Sequence, residues 1–372
     1  MKVLHFYKTY LPDTVGGIEQ VINQIARSTA TLGVTTTVMS LSSKSGERVV
    51  EVDGHIVHRC HTNIDIASTP FSISAFYQFR QLAKKADIIH YHFPYPFADI
   101  LHFACGINKP CLVTYHSDIV KQVQLLKLYR PLQNRFLKVL DAIVTGSPNY
   151  LASSSVLSRL KDKVKVIPFG LDKNNYPVPD SSVLNRWEAQ FSDRFFLYIG
   201  VLRYYKGLHI LIDAAKKSNH PILIVGAGPV EKKLKAQALK ANLKNIHFLG
   251  FVNEIDKVAL LTLAYAVVFP SNLRSEAFGI SLLEGAMYGK PLISCKIGTG
   301  TTFINIDKET GLVVPPNDAD ALHKAMDYIW NNPKEASLMG EKAEARYGKL
   351  FTADKMAKSY TRLYHKLLSG HR

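Results

Sequence analysis

The chain has 372 residues, of which 47% are hydrophobic and 20% are charged, and its formal net charge is +16. This length favours two domains of ~150–200 residues over a single core, and the composition excludes a disordered protein. No apolar run approaches the ~20 residues that a membrane-spanning helix needs, while the basic excess fits several kinds of anionic partner.

The N-terminus and the cysteines indicate a cytoplasmic protein. The opening MKVLHFYKTYLP carries one early charge and then a mixed, strand-like stretch, which is not the pattern of a signal peptide. The four cysteines form no CxxC pair and no zinc-like spacing, so we expect reduced, buried thiols. They are Cys60, Cys105, Cys111 and Cys295.

Short apolar runs alternate with helical patterns along the chain, which is typical of parallel α/β layers. In the first half we predict strands at Val3–Tyr7, Thr36–Ser40, Ile56–Arg59, Ile88–His92, Cys111–Tyr115, Ala142–Gly146 and Val164–Pro168. In the second half we predict strands at Phe195–Val201, Ile222–Gly226, Ile246–Gly250, Ala266–Pro270, Leu292–Cys295 and Gly311–Val314. The predicted architecture is two Rossmann-like domains facing each other across a cleft, with ligands at the carboxyl ends of the strands.

Residues 12–19, PDTVGGIE, follow the first predicted strand and open the first predicted helix, Ile18–Leu32. The Gly16-Gly17 pair permits positive φ angles and a close approach of the backbone to a bound group. A glycine pair in a turn is by itself a weak signal, but its position at a strand's carboxyl end favours a ligand contact.

His116-Ser117-Asp118 ends the strand CLVTY, at the same predicted edge of the sheet. Three consecutive residues cannot present the nucleophile, base and orienting acid of a hydrolase triad, so we exclude that chemistry. Two interpretations remain: His116 makes a polar contact to a substrate, or Ser117 and Asp118 cap a helix.

Residues 121–140 interleave five basic residues with leucines and aromatic side chains. This is typical of a basic amphipathic surface that rests on anionic lipid. An ordinary helix pair that covers the sheet, interrupted near Pro131, explains the pattern equally well. The basic residues are Lys121, Lys127, Arg130, Arg135 and Lys138.

The stretch Leu171–Ser182 is rich in Asp, Asn, Pro and Ser, and we interpret it as the linker between the domains. Soon after it, the segment GVLRYYKG follows the strand FFLYIG. Arg203 and Lys206 stand three residues apart at this strand-to-helix turn, where both can reach one diphosphate. Two solvated cations on a basic protein are the alternative, and the flanking glycines favour the diphosphate.

Gly226-Ala227-Gly228, after the strand PILIV, suggests a dinucleotide cofactor. That fingerprint needs a third small residue three places after the second glycine, and Glu231 occupies the position. We therefore predict no dinucleotide cofactor.

Two glutamates, Glu276 and Glu284, stand eight positions apart in the segment PSNLRSEAFGISLLEGAMYGKP. The apolar run Leu260–Phe269 before them predicts a buried strand, and helical periodicity begins near Gly279. Glu276 is therefore placed just before a helix N-terminus, where free N–H groups and the helix dipole favour anions. Such a site suits a ligand that carries both phosphates and hydroxyl groups, as a sugar nucleotide does.

Taken in chain order, these segments resemble the retaining glycosyltransferases of the GT4 type, which have the GT-B fold. The resemblance covers almost the whole chain, from the Gly16-Gly17 loop to the E-x7-E motif of Glu276 and Glu284. The segments PFGLD, VGAGP and GLVVPPND are also similar to the family's usual sequence.

The resemblance implies how the two domains are used. Residues 1–171 would form the acceptor-side domain, and residues 172–350 would form the domain that binds the nucleotide-sugar donor. The last helix, within residues 351–372, would pack back on the first domain. Domain closure around the donor would then be expected, with Leu171–Ser182 as one flexing segment.

The resemblance also implies a role for each candidate residue. Arg203 and Lys206 would neutralise the donor diphosphate as its bond to the sugar breaks. Glu284 would hydrogen-bond the ribose, and His116 would contact the sugar from the first domain. Glu276 would hold the transferred sugar and the distal phosphate. The remaining donor contacts would come from Gly16, Gly17, Phe251, Val252, Phe278, Gly279 and Ile280, with the base near Phe251-Val252.

The opening VLHFYKTYLPDTVGGIEQVI is especially similar to bacterial transferases that build O-polysaccharide and lipopolysaccharide, many of which use GDP-mannose. This similarity implies a peripheral enzyme on the inner face of the cytoplasmic membrane. It would move a hexose, mannose in the first instance, to a lipid-linked glycan acceptor with retained anomeric configuration, alongside other polysaccharide-assembly enzymes. It implies no cofactor and no metal, because Arg203 and Lys206 would take the metal's place.

Three alternatives remain open at this point: a UDP-hexose donor, a sugar-nucleotide epimerase of the same fold, and a non-catalytic subunit of a glycan-assembly complex. Nucleic acid is not a predicted partner, because only the net charge supports it and no nucleic-acid-binding motif is present.

Overall fold

The computed structural model describes residues 1–119, 123–191 and 194–371. It divides the chain into two compact units, one formed by Met1–Gly170 with the last helix and the other by Leu171–Thr352. Each unit is a parallel sheet layered with helices, as the alternating pattern predicts. Among the described residues, no helix is both long enough and apolar enough to span a bilayer.

The first unit is built on an eight-stranded sheet in the order β10-β9-β8-β7-β1-β2-β4-β3. All neighbours in it pair in parallel except β3 and β4, and β5 and β6 form a separate antiparallel pair. The strands are β1 Lys2–Phe6, β2 Thr35–Ser42, β3 Val49–Val52, β4 His55–His61, β5 Ile64–Ile66, β6 Thr69–Phe71, β7 Ile88–Phe93, β8 Cys111–Tyr115, β9 Ala142–Thr145 and β10 Val164–Val166.

Every strand predicted in this half is present, and β3, β5 and β6 are additional. Those three were missed because they are short and lie on exposed margins, where no continuous apolar run is needed. The helices of this part are α1 Gly17–Ala30, α2 Ser74–Lys85, α3 Pro96–Ala104, α4 Val123–Val139 and α5 Pro148–Ser153.

Helix α4 corrects one expectation. Pro131 lies inside a single helix, so the predicted interruption near it is wrong. Pro131 is exposed and has no N–H to donate, yet the helix continues through it, although an interior proline normally weakens or kinks a helix. Lys121, the first basic residue of the predicted lipid-facing segment, lies outside the described residues.

The second unit has a six-stranded parallel sheet in the order β13-β12-β11-β14-β15-β16. Numbered from its own first strand this is the order 3-2-1-4-5-6 of a Rossmann fold, whose ligands collect where the order reverses, here between β11 and β14. The strands are β11 Phe196–Ile199, β12 Ile222–Val225, β13 Ile246–Gly250, β14 Ala266–Phe269, β15 Leu292–Cys295 and β16 Gly311–Val314. The helices are α6 Ser181–Gln190, α7 Leu208–Ala215, α8 Glu231–Lys240, α9 Glu254–Leu263, α10 Ile280–Met287, α11 Thr301–Ile304, α12 Ala319–Asn331 and α13 Pro333–Leu350.

All six strands predicted for this half are present, but the apolar run before Glu276 is not one strand. Its first part, up to Leu263, is the end of α9, and β14 starts only at Ala266. A helix that is buried over most of its surface produces the same unbroken apolar run as a buried strand, so periodicity alone does not separate the two.

The predicted linker Leu171–Ser182 is an anchored segment of the second unit. The Leu171 N–H donates to the Phe351 carbonyl at 3.0 Å, and Tyr347 donates its hydroxyl to the Leu171 carbonyl at 2.8 Å. Tyr176 is buried. The turn-forming composition therefore predicted an irregular segment correctly, but two of its side chains, Leu171 and Tyr176, belong to the packed interior.

The last helix, α14 Ala353–Gly370, belongs to the first unit. Two of its tyrosines are fully buried against the first sheet. Tyr360 shares a hydrogen bond with Thr114 at 2.9 Å, and Tyr364 shares one with His90 at 2.8 Å. The helix is therefore held to the middle of the sheet by polar contacts as well as by burial.

Candidate functional site

Lys206 and Glu276, 70 positions apart, form an ion pair at the switch point of the second sheet. Lys206 follows β11 and Glu276 follows β14, and their side chains are only 12% and 11% exposed. The Ser271 hydroxyl also donates to the same carboxylate oxygen, Oε2, at 3.3 Å. Burial lowers the pKa of Lys206, but the Glu276 carboxylate together with Tyr198 and Tyr205 raises it, and the net pKa lies above its ordinary value. The pair is largely shielded from water.

The loops that carry this pair are locked together by their backbones. The Asn272 N–H donates to the Tyr205 carbonyl at 3.0 Å. Gly207 has a φ of 68°, and a Cβ at that position would lie 1.9 Å from the Pro270 carbonyl oxygen. Only glycine allows this approach, which brings the carboxyl ends of β11 and β14 close enough for Lys206 to meet Glu276.

Replacing Gly207 by Ala should therefore destabilise the second unit by more than about 3 kcal/mol, because backbone atoms cannot move aside as a side chain can. Gly250 is the matched control, since its φ is 69° but nothing lies within 4 Å of an added Cβ. Gly250→Ala should lower the free energy of unfolding by only about 1–2 kcal/mol, because the alanine has to adopt a left-handed backbone conformation but meets no other atom. Chemical denaturation of both variants measures the difference, and equal losses would contradict the close approach.

Arg203, the other predicted phosphate ligand, is exposed. Its guanidinium makes no hydrogen bond or ion pair with the residues that the structure describes. From the sequence we expect Arg203 and Lys206 to be equivalent cations. In the structure they differ: Lys206 is shielded and paired with Glu276, whereas Arg203 is solvated and available to a ligand.

Helix α10 begins directly beyond Glu276. Gly279 precedes it with a φ of 100°, and a Cβ there would lie 3.3 Å from the Phe269 ring. Phe278 is buried, and Ile280 is the first residue of the helix. The first N–H groups of a helix have no partner within it, so they and the helix dipole favour an anion beside Glu276.

Glu284 lies on α10 and is buried. Its Oε1 accepts hydrogen bonds from the Tyr176 hydroxyl at 2.9 Å and from Lys257 Nζ at 3.0 Å. Burial lowers the pKa of Lys257, but Glu284 and Glu254 raise it above its ordinary value. Within residues 1–119, 123–191 and 194–371, no hydrogen bond to Oε2 of Glu284 is found, so this oxygen is available to a ligand.

Lys257 should be essential for the stability of the buried Glu284 site. Lys257→Met removes the cation from a buried carboxylate, so we expect a loss of about 3–5 kcal/mol in the free energy of unfolding. Lys290→Met is the control, because among the described residues the Lys290 ammonium donates to the Thr262 carbonyl and forms no ion pair. Urea denaturation at neutral pH measures the free energy of unfolding of both variants. A loss below about 1 kcal/mol for Lys257→Met, as expected of a surface ion pair, would refute the stabilising role of Lys257.

Phe251 and Val252, the predicted base contacts, follow β13. Phe251 is 80% exposed, which is unusual for a large aromatic side chain and leaves its ring face open. The structure thus places an accessible aromatic ring at the carboxyl edge of the second sheet, two strands away from Lys206.

In the first unit, His116 is buried at the end of β8, and its Nε2 lies 3.0 Å from Nδ1 of His92. Asp118 accepts hydrogen bonds from Tyr115 and Ser154, both at 2.8 Å, and makes none to His116. A Ser-His-Asp triad is thus absent from these three residues, as their spacing predicts.

The Gly16-Gly17 expectation is partly wrong. Neither glycine has a positive φ; Gly16 is extended, with a φ of −154°, and α1 starts at Gly17. A Cβ on Gly16 would lie 2.6 Å from a Glu19 carboxylate oxygen. Thr9 and Thr14 donate to this carboxylate at 2.8 and 3.0 Å. The absence of a side chain at Gly16 leaves room for the Glu19 carboxylate.

Sequence reasoning missed three side chains of the second unit. Tyr176 lies in the segment interpreted as a linker, Lys257 stands just before an apolar run, and Tyr198 is one residue of a buried strand. The Tyr198 hydroxyl is buried and has no hydrogen-bond partner among the described residues. A Cβ on Gly200 would lie 3.0 Å from this hydroxyl and 3.9 Å from Lys206 Nζ, so the hydroxyl faces the Lys206 site. An isolated tyrosine in a strand carries no signal that would have revealed this.

Comparisons with known proteins agree with the fold. The family Glycosyltransferase Family 4 matches residues 15–175, and Glycosyl transferases group 1 matches residues 185–346. The chain is 58% identical to the D-rhamnosyltransferase WbpZ of Pseudomonas aeruginosa over 95% of this chain and 93% of that protein. It is 50% identical to the O-antigen chain mannosyltransferase C of Escherichia coli over the whole of both chains.

Among solved structures, sucrose-phosphate synthase from Thermosynechococcus elongatus superimposes with a TM-score of 0.80 at 20% identity, over 99% of each chain. That likeness establishes the GT-B fold. Together with the two sequence relatives and both family matches, it shows that the chain belongs to the group 1 and family 4 glycosyltransferases and is a glycosyltransferase.

Proposed function

We propose that this glycosyltransferase moves a mannosyl unit from GDP-mannose to a lipid-linked glycan during the synthesis of O-antigen polysaccharide, with retained anomeric configuration. The observation that carries the site assignment is the shielded Lys206–Glu276 pair, which stands at the switch point of the second sheet beside the start of α10. The two closely related proteins support the substrate class, because one is named for O-antigen mannosyl transfer and the other for D-rhamnosyl transfer.

The chemistry follows from the charge arrangement. When the sugar leaves the donor, negative charge grows on the diphosphate, and Lys206 and Arg203 lie where they can stabilise it. Glu276, already hydrogen-bonded to Lys206 and Ser271 through one oxygen, holds sugar hydroxyls with the other. Oε2 of Glu284 takes the ribose. Positioning and charge stabilisation then accelerate the transfer without a carboxylate nucleophile, and we propose that no metal is needed.

D-Rhamnose is 6-deoxy-D-mannose, so both relatives are named for sugars of the same ring configuration. The greater identity, 58%, is to the D-rhamnosyltransferase. This favours a second candidate donor, GDP-D-rhamnose, in which the hydroxyl on carbon 6 is missing. The two candidates share every contact proposed above and differ only at that carbon.

The assay uses purified full-length protein with GDP-mannose, GDP-D-rhamnose, UDP-glucose and UDP-N-acetylglucosamine, each with lipid-linked acceptors. Transfer from a GDP-linked donor of manno configuration, unaffected by EDTA, is expected, and product analysis gives the anomeric configuration. Transfer only from a UDP-linked donor would reject the donor assignment. Glu276→Gln should abolish transfer, and full activity of this variant would reject the site.

We further propose that the first unit binds the inner face of the cytoplasmic membrane. On α4, Lys127, Arg130 and Lys138 are exposed together with Leu125 and Leu128, and Leu128 is 81% exposed. Basic and apolar side chains that are exposed on one helix fit an anionic bilayer surface.

Flotation with vesicles tests this proposal. Leu128→Ser should weaken binding to phosphatidylglycerol-containing vesicles, whereas Leu239→Ser on α8 should not, although Leu239 is also 81% exposed. Binding that persists equally in both variants would rule out α4 as the contact. Loss of vesicle binding in both variants would indicate a general effect of the polar substitution and would also rule out α4 as the contact.

A further inference from the structure

Three histidines of the first unit form a continuous hydrogen-bonded chain that ends at His116. His5 Nδ1 lies 2.9 Å from His92 Nε2, and His92 Nδ1 lies 3.0 Å from His116 Nε2. The rings of His5 and His92 are nearly parallel, with an interplanar angle of 20° and centroids 5.2 Å apart, and those of His92 and His116 are inclined by 25° with centroids 5.3 Å apart, separations that fit hydrogen bonds between ring edges. The three residues lie on the adjacent strands β1 and β7 and at the end of β8, so the sheet itself sets their spacing.

All three imidazoles are neutral at physiological pH. Each is buried, and burial lowers the pKa of His5 and of His116 to about 3 and holds that of His92 well below its ordinary value. A neutral imidazole has one N–H donor and one bare nitrogen acceptor. In a chain of such rings, each hydrogen bond therefore fixes the direction of the next one.

The consequence is that the three rings share one tautomer. If His5 donates from Nδ1, then His92 must donate from Nδ1 to His116, and the remaining proton of His116 is on its own Nδ1. If the direction is reversed, all three rings carry the proton on Nε2 and His116 presents a bare Nδ1. In both cases Nδ1 of His116 is the nitrogen left for a ligand, and its protonation is decided at the other end of the chain.

The inner end of the chain is unusual. His5 Nε2 is a buried nitrogen with no hydrogen-bond partner among the described residues. Buried polar atoms of this kind are rare and costly, and each one needs an explanation. Among buried polar groups an N–H without a partner is rarer than an acceptor without one, so a bare Nε2, with His5 donating from Nδ1, is the favoured direction of the chain.

We infer that His5 and His92 are positioning residues for glycosyl transfer: they hold the His116 ring in place and impose one tautomer on it, so that Nδ1 meets the ligand in a defined hydrogen-bonding state. This inference rests on the proposed sugar contact of His116. It adds that two residues without access to the ligand determine how that contact is made.

A metal site is the competing interpretation, since ligand atoms of His5, His90 and His92 lie within 4.8 Å of one another. However, both His90 nitrogens are already hydrogen-bonded, to Tyr364 at 2.8 Å and to Thr114 at 2.7 Å. The rings of His90 and His92 are stacked with an interplanar angle of 21°, so their in-plane lone pairs run side by side and do not converge on one point. The geometry favours a hydrogen-bonded chain.

The test is a two-bond ¹⁵N–¹H correlation spectrum of the full-length protein, which reports the tautomer of each imidazole, combined with transfer kinetics. At pH 7 the wild type should show the same single tautomer for His5, His92 and His116. His92→Leu should leave His116 as a mixture of tautomers and lower kcat about tenfold, the effect of one lost hydrogen bond, with little change in the KM of the donor. His92→Asn keeps an amide near the position of Nδ1 and should restore a single tautomer.

His90→Gln is the matched control, because His90 is as buried as His92 but lies outside the chain. It should leave both the His116 tautomer and kcat unchanged. Different tautomers among the three residues in the wild type, or an unchanged His116 signal in His92→Leu, would overturn the inference. A metal-induced shift of the His5, His90 and His92 signals on addition of Zn²⁺ would also overturn it. If no donor supports transfer, the proposed function fails, while the spectra still decide whether the three rings are coupled.

Discussion

Lys206→Met should lower kcat for sugar transfer by about 10²–10³-fold, because a preorganised cation that meets developing charge contributes on this scale. Lys206 is held against Glu276 and lies over the Phe269 ring, 4.9 Å from its centroid, so no reorganisation is needed when the diphosphate arrives. Lys216→Met is the matched control, since this exposed lysine pairs with Asp213 near the end of α7, its one ion pair in the described part of the chain. It should retain full activity in the same single-turnover assay.

Loss of the Lys206 charge also leaves Glu276 as a buried carboxylate without a cation, which costs about 3–5 kcal/mol of stability. The double variant Lys206→Met/Glu276→Gln should recover most of that loss but none of the activity, because the two residues interact directly. A thermodynamic cycle over the two single variants and the double variant therefore separates stability from catalysis. Recovery of transfer in the double variant would show that Lys206 acts only by neutralising Glu276.

The first unit should lose stability steeply as the pH falls below about 6.5, the pKa of an unfolded histidine. His5, His90, His92 and His116 are all buried. Burial lowers the pKa of each, to about 3 for His5 and His116, and neighbouring imidazoles add to the effect for His90 and His92. Between these folded values and 6.5 the unfolded chain binds more protons than the folded chain, so stability falls as pH falls. Four such groups together remove about 6 kcal/mol between pH 6.5 and 5.

Hydrogen exchange measured by mass spectrometry can follow the two units separately over this pH range. The second unit is the internal control, because none of its four histidines is fully buried. His90→Gln removes one of these groups and should reduce the slope of stability against pH in the first unit. An equal loss of stability in both units as the pH falls would contradict the assignment of the pH dependence to the buried histidines. A slope of stability against pH that does not change in His90→Gln would also contradict it.

Much of the fold was predictable from the sequence because buried parallel strands are covered on both faces. Such strands appear as short, nearly continuous apolar runs between helical patterns, and this identified β1, β7, β8 and all strands of the second unit. The same reasoning failed where burial did not separate the alternatives. The edge strand β3 and the exposed β5 needed no apolar run, and the buried end of α9 imitated a strand.

The candidate site was predictable in its residue types and in its position along the chain. Glu276 before a helix, and Arg203 and Lys206 at the end of a strand, follow from local spacing. The pairing of Lys206 with Glu276 and of Glu284 with Tyr176 does not, since these partners are 70 and 108 positions apart. Only the order of the strands brings β11 beside β14, and only Gly207 lets their loops approach each other.

The histidines of the first unit show most clearly which features the sequence determined and which needed the tertiary structure. His90 and His92 are two apart on β7, so the sequence by itself determined that they share one face of a strand. It did not determine that β1 and β8 flank β7 and bring His5 and His116 to the same line. Spacing within a strand is a local property of the chain, whereas the order of strands follows from which helices and connections pack on the sheet. Only the tertiary structure could therefore decide that His116 ends a chain of hydrogen bonds.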